Sequence, residues 1–199
     1  MSARIILASG SPARIGLLAG AGVAFESRPA LVDERALDRP LIAAGASPVA
    51  IAEALAAAKA LSLGGQARDA LVIGADQLLA NGGLQWNKPA SLGEARAQLE
   101  ALSGRTHRLH SAVAVARGDA ILWRHVDTAQ LTMRRLSGRF LDAYLERIGE
   151  RALASVGAYQ IEGLGIQLFE RIEGDYFTIL GLPLLPLLAF LRREGEIET

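Results

Sequence analysis

The chain has 199 residues, 51% of them apolar, and its 21 basic and 21 acidic side chains cancel. That length suits one sizeable core and that composition excludes disorder. The zero net charge excludes the broad basic field of a nucleic-acid binder, and without cysteine there is neither a disulfide framework nor a thiolate zinc site.

Met1-Ser2-Ala3-Arg4 precedes a short apolar run, Ile5 to Ala8, which is too brief for the core of a signal peptide. No apolar run approaches the ~18 residues of a membrane span, so the expected location is the cytoplasm. Ile5 to Ala8 reads as a buried strand. Ser9-Gly10-Ser11-Pro12 turns it into a helix, with Ser11 as N-cap and Pro12 at the first helical position. Ile15, Leu18 and Ala19 form its apolar stripe, and Gly20-Ala21-Gly22 ends it. Phe25 to Arg28 predicts a second strand. Pro29 to Ser47 reads as a loop carrying the acidic pair Asp33-Glu34.

Ser47-Pro48 repeats the cap signature and opens an alanine-rich helix from about Val49 to Leu63, stopped at Gly64-Gly65. Ala70 to Ala75 is the most strand-like buried segment and ends in the polar tip Asp76-Gln77. Asn81-Gly82-Gly83 signals a hairpin between Gln77–Ala80 and Leu84–Trp86. Ser91-x-x-Glu94 is a capping box that opens a helix to Leu102. Thr106 to Ala116 and Ala120 to Met133 read as long strands, and Ser137 to Ile148 as a helix stopped by Gly149. Gly157 to Gly181 predicts short strands with a turn at Glu173-Gly174-Asp175. A helix near Leu184 to Arg193 closes a mixed α/β pattern with no internal repeat. His107 and His110, three apart on a strand, point to opposite faces. With His125 they read as ordinary, partly exposed histidines.

Several constellations bear chemistry. Ser9-Gly10-Ser11-Pro12-Ala13-Arg14 places hydroxyls, backbone N–H groups and a guanidinium at a helix N-terminus, which suits a phosphate; the plain alternative is a helix cap. Asp76, at a strand end, can hold a metal or activate water, and the alternative is a turn aspartate. Asp33-Glu34 can help hold Mg²⁺ or be a solvated pair. Only two lysines, Lys59 and Lys88, stand against nineteen arginines, and they bracket Asp76. A compact ammonium is not interchangeable with a guanidinium, so the pair points to an anionic substrate, against the alternative of two surface lysines. Glycines around Ile161-Glu162-Gly163-Leu164-Gly165 suggest close backbone packing or approach to a ligand.

The order of these motifs is more specific than any one of them. Leu7-Ala8-Ser9-Gly10-Ser11-Pro12, Val32-Asp33-Glu34, Ala58-Lys59-Ala60, Ile73-Gly74-Ala75-Asp76, Lys88-Pro89, Leu102-Ser103-Gly104-Arg105-Thr106-His107, Phe169-Glu170-Arg171-Ile172-Glu173-Gly174 and Gly181-Leu182-Pro183-Leu184 span roughly residues 4 to 193. The chain resembles the Maf family of nucleoside triphosphate pyrophosphatases.

The resemblance implies one Maf-like domain over residues 1–199, with a Maf/inosine-triphosphatase-like α/β fold. That fold is an elongated mixed sheet with flanking helices, two lobes around a cleft. It implies hydrolysis of a nucleoside triphosphate to the monophosphate and pyrophosphate with Mg²⁺ or Mn²⁺, in the cytoplasm, by a possible homodimer that binds neither nucleic acid nor membrane. It assigns Asp76 as general base, Glu34 and Asp76 to the metal, and Ser9, Ser11, Arg14, Lys59 and Lys88 to substrate. Two departures matter. Arg14 is the single basic residue after Pro12 where the family often has two, so phosphate binding leans on the lysines. Gln77 and Glu162 resemble the branch acting on 7-methyl-GTP rather than the one acting on dTTP and UTP. A carboxylate accepts hydrogen bonds from a guanine edge and suits a cationic methylated purine. The rival reading is a nucleotide-binding regulator of cell division without turnover.

Overall fold

The computed structural model describes residues 4–82 and 84–198. Gly83 of the expected hairpin turn and Met1 to Ala3 lie outside the described residues. The elements in chain order are β1 (Ile5–Leu7), α1 (Pro12–Gly20), β2 (Glu26–Ser27), α2 (Glu34–Ala43), α3 (Pro48–Leu61), β3 (Leu71–Asn81), β4 (Leu84–Trp86) and α4 (Leu92–Leu102). They continue with β5 (Thr106–Arg117), β6 (Ala120–Met133), α5 (Gly138–Ile148), β7 (Phe169–Glu173), α6 (Tyr176–Ile179) and α7 (Leu184–Arg193). The chain forms two compact units. One comprises residues up to Gln77, His110–Asp127 and Asp175 onward; the other comprises Leu78–Leu109 and Thr128–Gly174.

In the first unit the strands run in the order β2-β1-β3-β5-β6. β1 is parallel to both neighbours, with Ile5 opposite Leu71, Ile6 opposite Val72 and Leu7 opposite Ile73. Strand side chains alternate faces, and here both faces are buried. Ile5, Leu7, Leu71, Ile73 and Ala75 join Leu18, Leu187 and Phe190 in one core cluster. Ile6, Ala8 and Val72 join Leu63, Ala67 and Ala70 in another. Continuous apolar runs are what a central strand covered on both sides requires. The same alternation sends Gly74 and Asp76 to the side of Val72.

In the second unit β4 pairs antiparallel with the end of β3, and β6 pairs antiparallel with β7 across a register shift at Thr132/Met133. Leu79, Leu99, Leu102, Leu131, Met133 and Tyr144 are buried there. Ser91 Oγ accepts from the Glu94 N–H, and the Glu94 carboxylate accepts from the Ala90 N–H, one residue further back than the expected box. Gly149, at φ 57°, ends α5 in a conformation that favours glycine.

Five expectations need correction. The segment expected as a loop from Pro29 to Ser47 contains α2: Asp33 Oδ1 accepts from the Ala36 N–H and caps it, with Pro40 inside the helix. None of its ten residues is buried, and Pro40 within it reads as a helix breaker. β3 does not stop before Asp76 but runs unbroken to Asn81, because backbone pairing, not side-chain polarity, sets strand length. His107 and His110 are buried at 1% and 8% exposure, not partly exposed. The region from Gly157 to Leu168 is built of 3₁₀ turns, with β7 as its single strand before Gly174. Finally, Pro48–Gln66 is by length and composition long and apolar enough to cross a membrane. Half of that window is buried against the rest of the protein and it carries buried Lys59, as a core helix does.

Candidate functional site

The first unit gathers most of the expected site residues around β3. Gly74 makes this possible. A Cβ there would lie 2.2 Å from the Ala56 carbonyl oxygen and 2.4 Å from the Ala60 nitrogen, so α3 rests directly on the strand backbone. Ser47 caps α3 through the Ala50 N–H and Pro48 opens it. One residue before Ala60, Lys59 reaches down toward the strand two positions beyond Gly74.

There the Lys59 ammonium sits 2.6 Å from Asp76 Oδ1 and 2.7 Å from Glu34 Oε1. Lys59 and Asp76 are 7% and 5% exposed, whereas Glu34, in the first turn of α2, is exposed. Burial raises the Asp76 carboxyl above its ordinary value, opposed by the charges of Lys59 and Arg14. A carboxylate so shifted is a stronger base toward a water proton. Among the described residues no group of three or more His, Cys, Asp or Glu side chains converges on one point. Glu34 and Asp76 do place two carboxylate oxygens around a single cationic point. That donor set fits a hard divalent ion completed by water and phosphate oxygens.

Arg14 lies on α1. Its Nε donates to the Gly181 carbonyl at 2.8 Å and an Nη to the Ala75 carbonyl at 2.9 Å. Gly181 has φ 94°, and a Cβ there would press on the guanidinium at 3.4 Å. Burial lowers the Arg14 pKa against the opposing pull of Asp76 and Glu34. The guanidinium therefore braces the backbone beside Asp76, and its charge is felt by both carboxylates. Ser9 is 7% exposed and its Oγ accepts from the Ser11 N–H. Ser11 occupies the N-cap position of α1, but its hydroxyl makes no cap bond, in contrast to the expected cap.

Gln77 points its amide nitrogen at Ser111 Oγ (2.9 Å) and the Thr178 and Ile179 carbonyls (3.1 and 3.0 Å). Two of these partners only accept, so that atom is the amide nitrogen. Ser111, wholly buried, also donates to the Thr178 carbonyl at 2.7 Å. Gln77 thus ties β3 to β5 and α6. Lys88 and Glu162 belong to the second unit. Lys88 follows β4, and Glu162 is exposed on the turn before Gly165, where a Cβ would collide with the Gln160 carbonyl at 2.4 Å.

Sequence reasoning overlooked Ser111, Thr178 and Ser27, whose hydroxyl donates to the Ser9 carbonyl at 2.9 Å. Ser111 had a visible signal, a lone hydroxyl ahead of the apolar run Ala112 to Ala116. Ser27 had none.

Comparison with known proteins adds to this geometry. The family described as Maf-like protein matches residues 4–194. A protein of Rhizobium meliloti named 7-methyl-GTP pyrophosphatase is 57% identical over 199 residues, all of both chains. A Brucella abortus protein of the same name is 53% identical over 198 residues, again all of both. A Paramagnetospirillum magneticum protein named nucleoside triphosphate pyrophosphatase is 51% identical over 96% of this chain and 99% of its own. Likeness to a solved HAM1 protein of Coxiella burnetii is distant, at TM-score 0.41 and 19% identity over 67% of this chain and 74% of that one.

Proposed function

The chain belongs to the Maf-like protein family, and on that premise we propose that it hydrolyses a nucleoside triphosphate to the monophosphate and pyrophosphate. The observation that carries the chemistry is the meeting of buried Lys59 with buried Asp76 and exposed Glu34. Asp76 accepts a proton from the attacking water, whose oxygen bonds to the α-phosphorus. The bond from that phosphorus to the bridging oxygen breaks, and pyrophosphate leaves with the electron pair. The N–H groups at the start of α1, the Ser9 and Ser11 hydroxyls, Arg14, Lys59 and Lys88 bind the phosphates and oppose the charge that develops on the leaving group. Arg14 also holds the Ala75 carbonyl, which keeps the Asp76 backbone from shifting as charge moves.

Glu34 and Asp76 are the residues that would hold a divalent ion. Bound there, it supplies Lewis acidity and neutralises phosphate charge. The substrate we favour is 7-methyl-GTP, with Glu162 proposed as a contact to its base. Support comes from full-length relatives of that name at 53–57% identity and from the fit of a carboxylate to a cationic purine. Gln77, with its amide nitrogen engaged inside the first unit, acts in this reading by holding α6 in place. The setting proposed is the cytoplasm, and the whole chain works as one family domain.

The test is pyrophosphate release from 7-methyl-GTP, GTP, dTTP and UTP with Mg²⁺ or Mn²⁺. Fastest release from 7-methyl-GTP is expected. Preference for dTTP or UTP overturns the substrate assignment, and tight nucleotide binding without any release overturns the enzyme itself.

A further inference from the structure

Lys59 is a charged side chain packed into the core face of α3, not a mobile arm on the surface. Its ammonium bonds both carboxylates at once, at 2.6 and 2.7 Å. It therefore stands at the point where a divalent ion bound to the same two oxygens would sit. An ammonium donates hydrogen bonds but has no lone pair for a metal. Nor can a doubly charged ion sit cheaply beside it at the buried Asp76 carboxylate, where like charges repel more strongly than in water. Arg14, hydrogen-bonded to the Ala75 carbonyl beside Asp76 and felt by the same carboxylates, adds a second positive charge to that barrier.

We infer that Lys59 is a resident counter-ion that keeps free divalent ions off Glu34 and Asp76 until a polyphosphate arrives to take up its ammonium. The inference rests on the reading that these carboxylates hold the ion. Phosphate oxygens accept the Nζ–H bonds, the two carboxylates are released, and the ion binds with the nucleotide rather than ahead of it. Lys59 then acts as a positioning residue for metal entry as well as a phosphate contact, and ion and nucleotide bind with positive coupling.

Mn²⁺ titration of the full chain without nucleotide, followed by calorimetry, tests this apart from turnover. Lys59→Met should bind Mn²⁺ at least tenfold more tightly than the unaltered chain, while Lys59→Arg, which keeps the charge, should bind as weakly as the unaltered chain. Adding Asp76→Asn to Lys59→Met should abolish the gain. Equal or weaker binding by Lys59→Met overturns the inference, and so does a gain that survives Asp76→Asn. If Lys59→Met does not fold alone, recovery of helical circular dichroism on adding Mn²⁺ reads the same preference, and no recovery overturns it. Failure of the catalytic reading has a different signature, since it would appear as absent pyrophosphate release by the unaltered chain whatever the Mn²⁺ affinities.

Discussion

Gly74 and Ala60 are in contact backbone to backbone: a Cβ on Gly74 would stand 2.4 Å from the Ala60 nitrogen and 3.0 Å from its Cα. No flexible side chain is there to yield, so even a methyl group must push α3 off the strand, and Lys59 moves with it. Gly74→Ala is expected to cost about 3 kcal/mol, in the range of overpacked cores. At ~2–4 °C per kcal/mol for a chain of this size, thermal unfolding should fall by about 6–12 °C, as calorimetry would record. An unchanged melting temperature would mean that the helix and strand are not held this closely.

Asp76→Asn keeps the shape of the side chain and removes the base. Loss of a positioned general base costs about 100-fold or more, so pyrophosphate release should fall at least that far while circular dichroism stays the same. Full activity in the purified variant would remove Asp76 from the mechanism.

Gln77→Glu places a carboxylate where an amide donates to the Thr178 and Ile179 carbonyls and to Ser111. Two carbonyls then face an acceptor, and the loss of both donors at this half-buried position costs about 1–3 kcal/mol. Urea unfolding should show a lower midpoint at unchanged slope. Equal stability would show that Gln77 is not a brace for α6.

His107 offers a pH test in the second unit. Its Nε2 meets the Tyr159 hydroxyl at 2.7 Å, its Nδ1 has no hydrogen-bond partner among the described residues, and burial pushes its pKa down to about 4. In the unfolded chain a histidine titrates near 6.5. Between those two values the unfolded state takes up a proton that the folded state refuses. Stability is therefore intact above pH 6.5 and is lost as pH falls toward 4, by about 3 kcal/mol from this group. His107→Gln should flatten that part of the stability profile. A slope that persists unchanged would assign it to other groups.

Which parts of this fold could be read from the sequence follows from how local each signal is. Ser47-Pro48, Ser91 with Glu94, and Gly149 mark helix ends through atoms a few residues apart, and α3, α4 and α5 start and stop close to where those signals place them. α2 escaped because it has no buried face and contains Pro40. Asp76 and Gln77 look like a strand end because polar residues usually mark one, whereas backbone pairing carries β3 on to Asn81. The site shows the same division. Glu34, Lys59 and Asp76 were each legible as residues, but their convergence depends on α3 resting on Gly74. The partners of Gln77 lie 34, 101 and 102 positions away, and two of them are backbone carbonyls that no side-chain pattern records.

The mid-strand position of Asp76 governs how this chain can change length. Strand faces alternate with every residue, so one residue inserted between Leu71 and Ala75 would turn the carboxylate toward the core of Leu18 and Phe190 and leave an apolar side chain facing Lys59. Such an insertion disables the chemistry even in a chain that still folds. Glu34 sits in the first turn of a helix none of whose residues is fully buried, so residues added after that turn leave it where it was. Lineages of this chain should therefore drift in length within and after α2, and hold the spacing from Leu71 to Asp76 without a single gap.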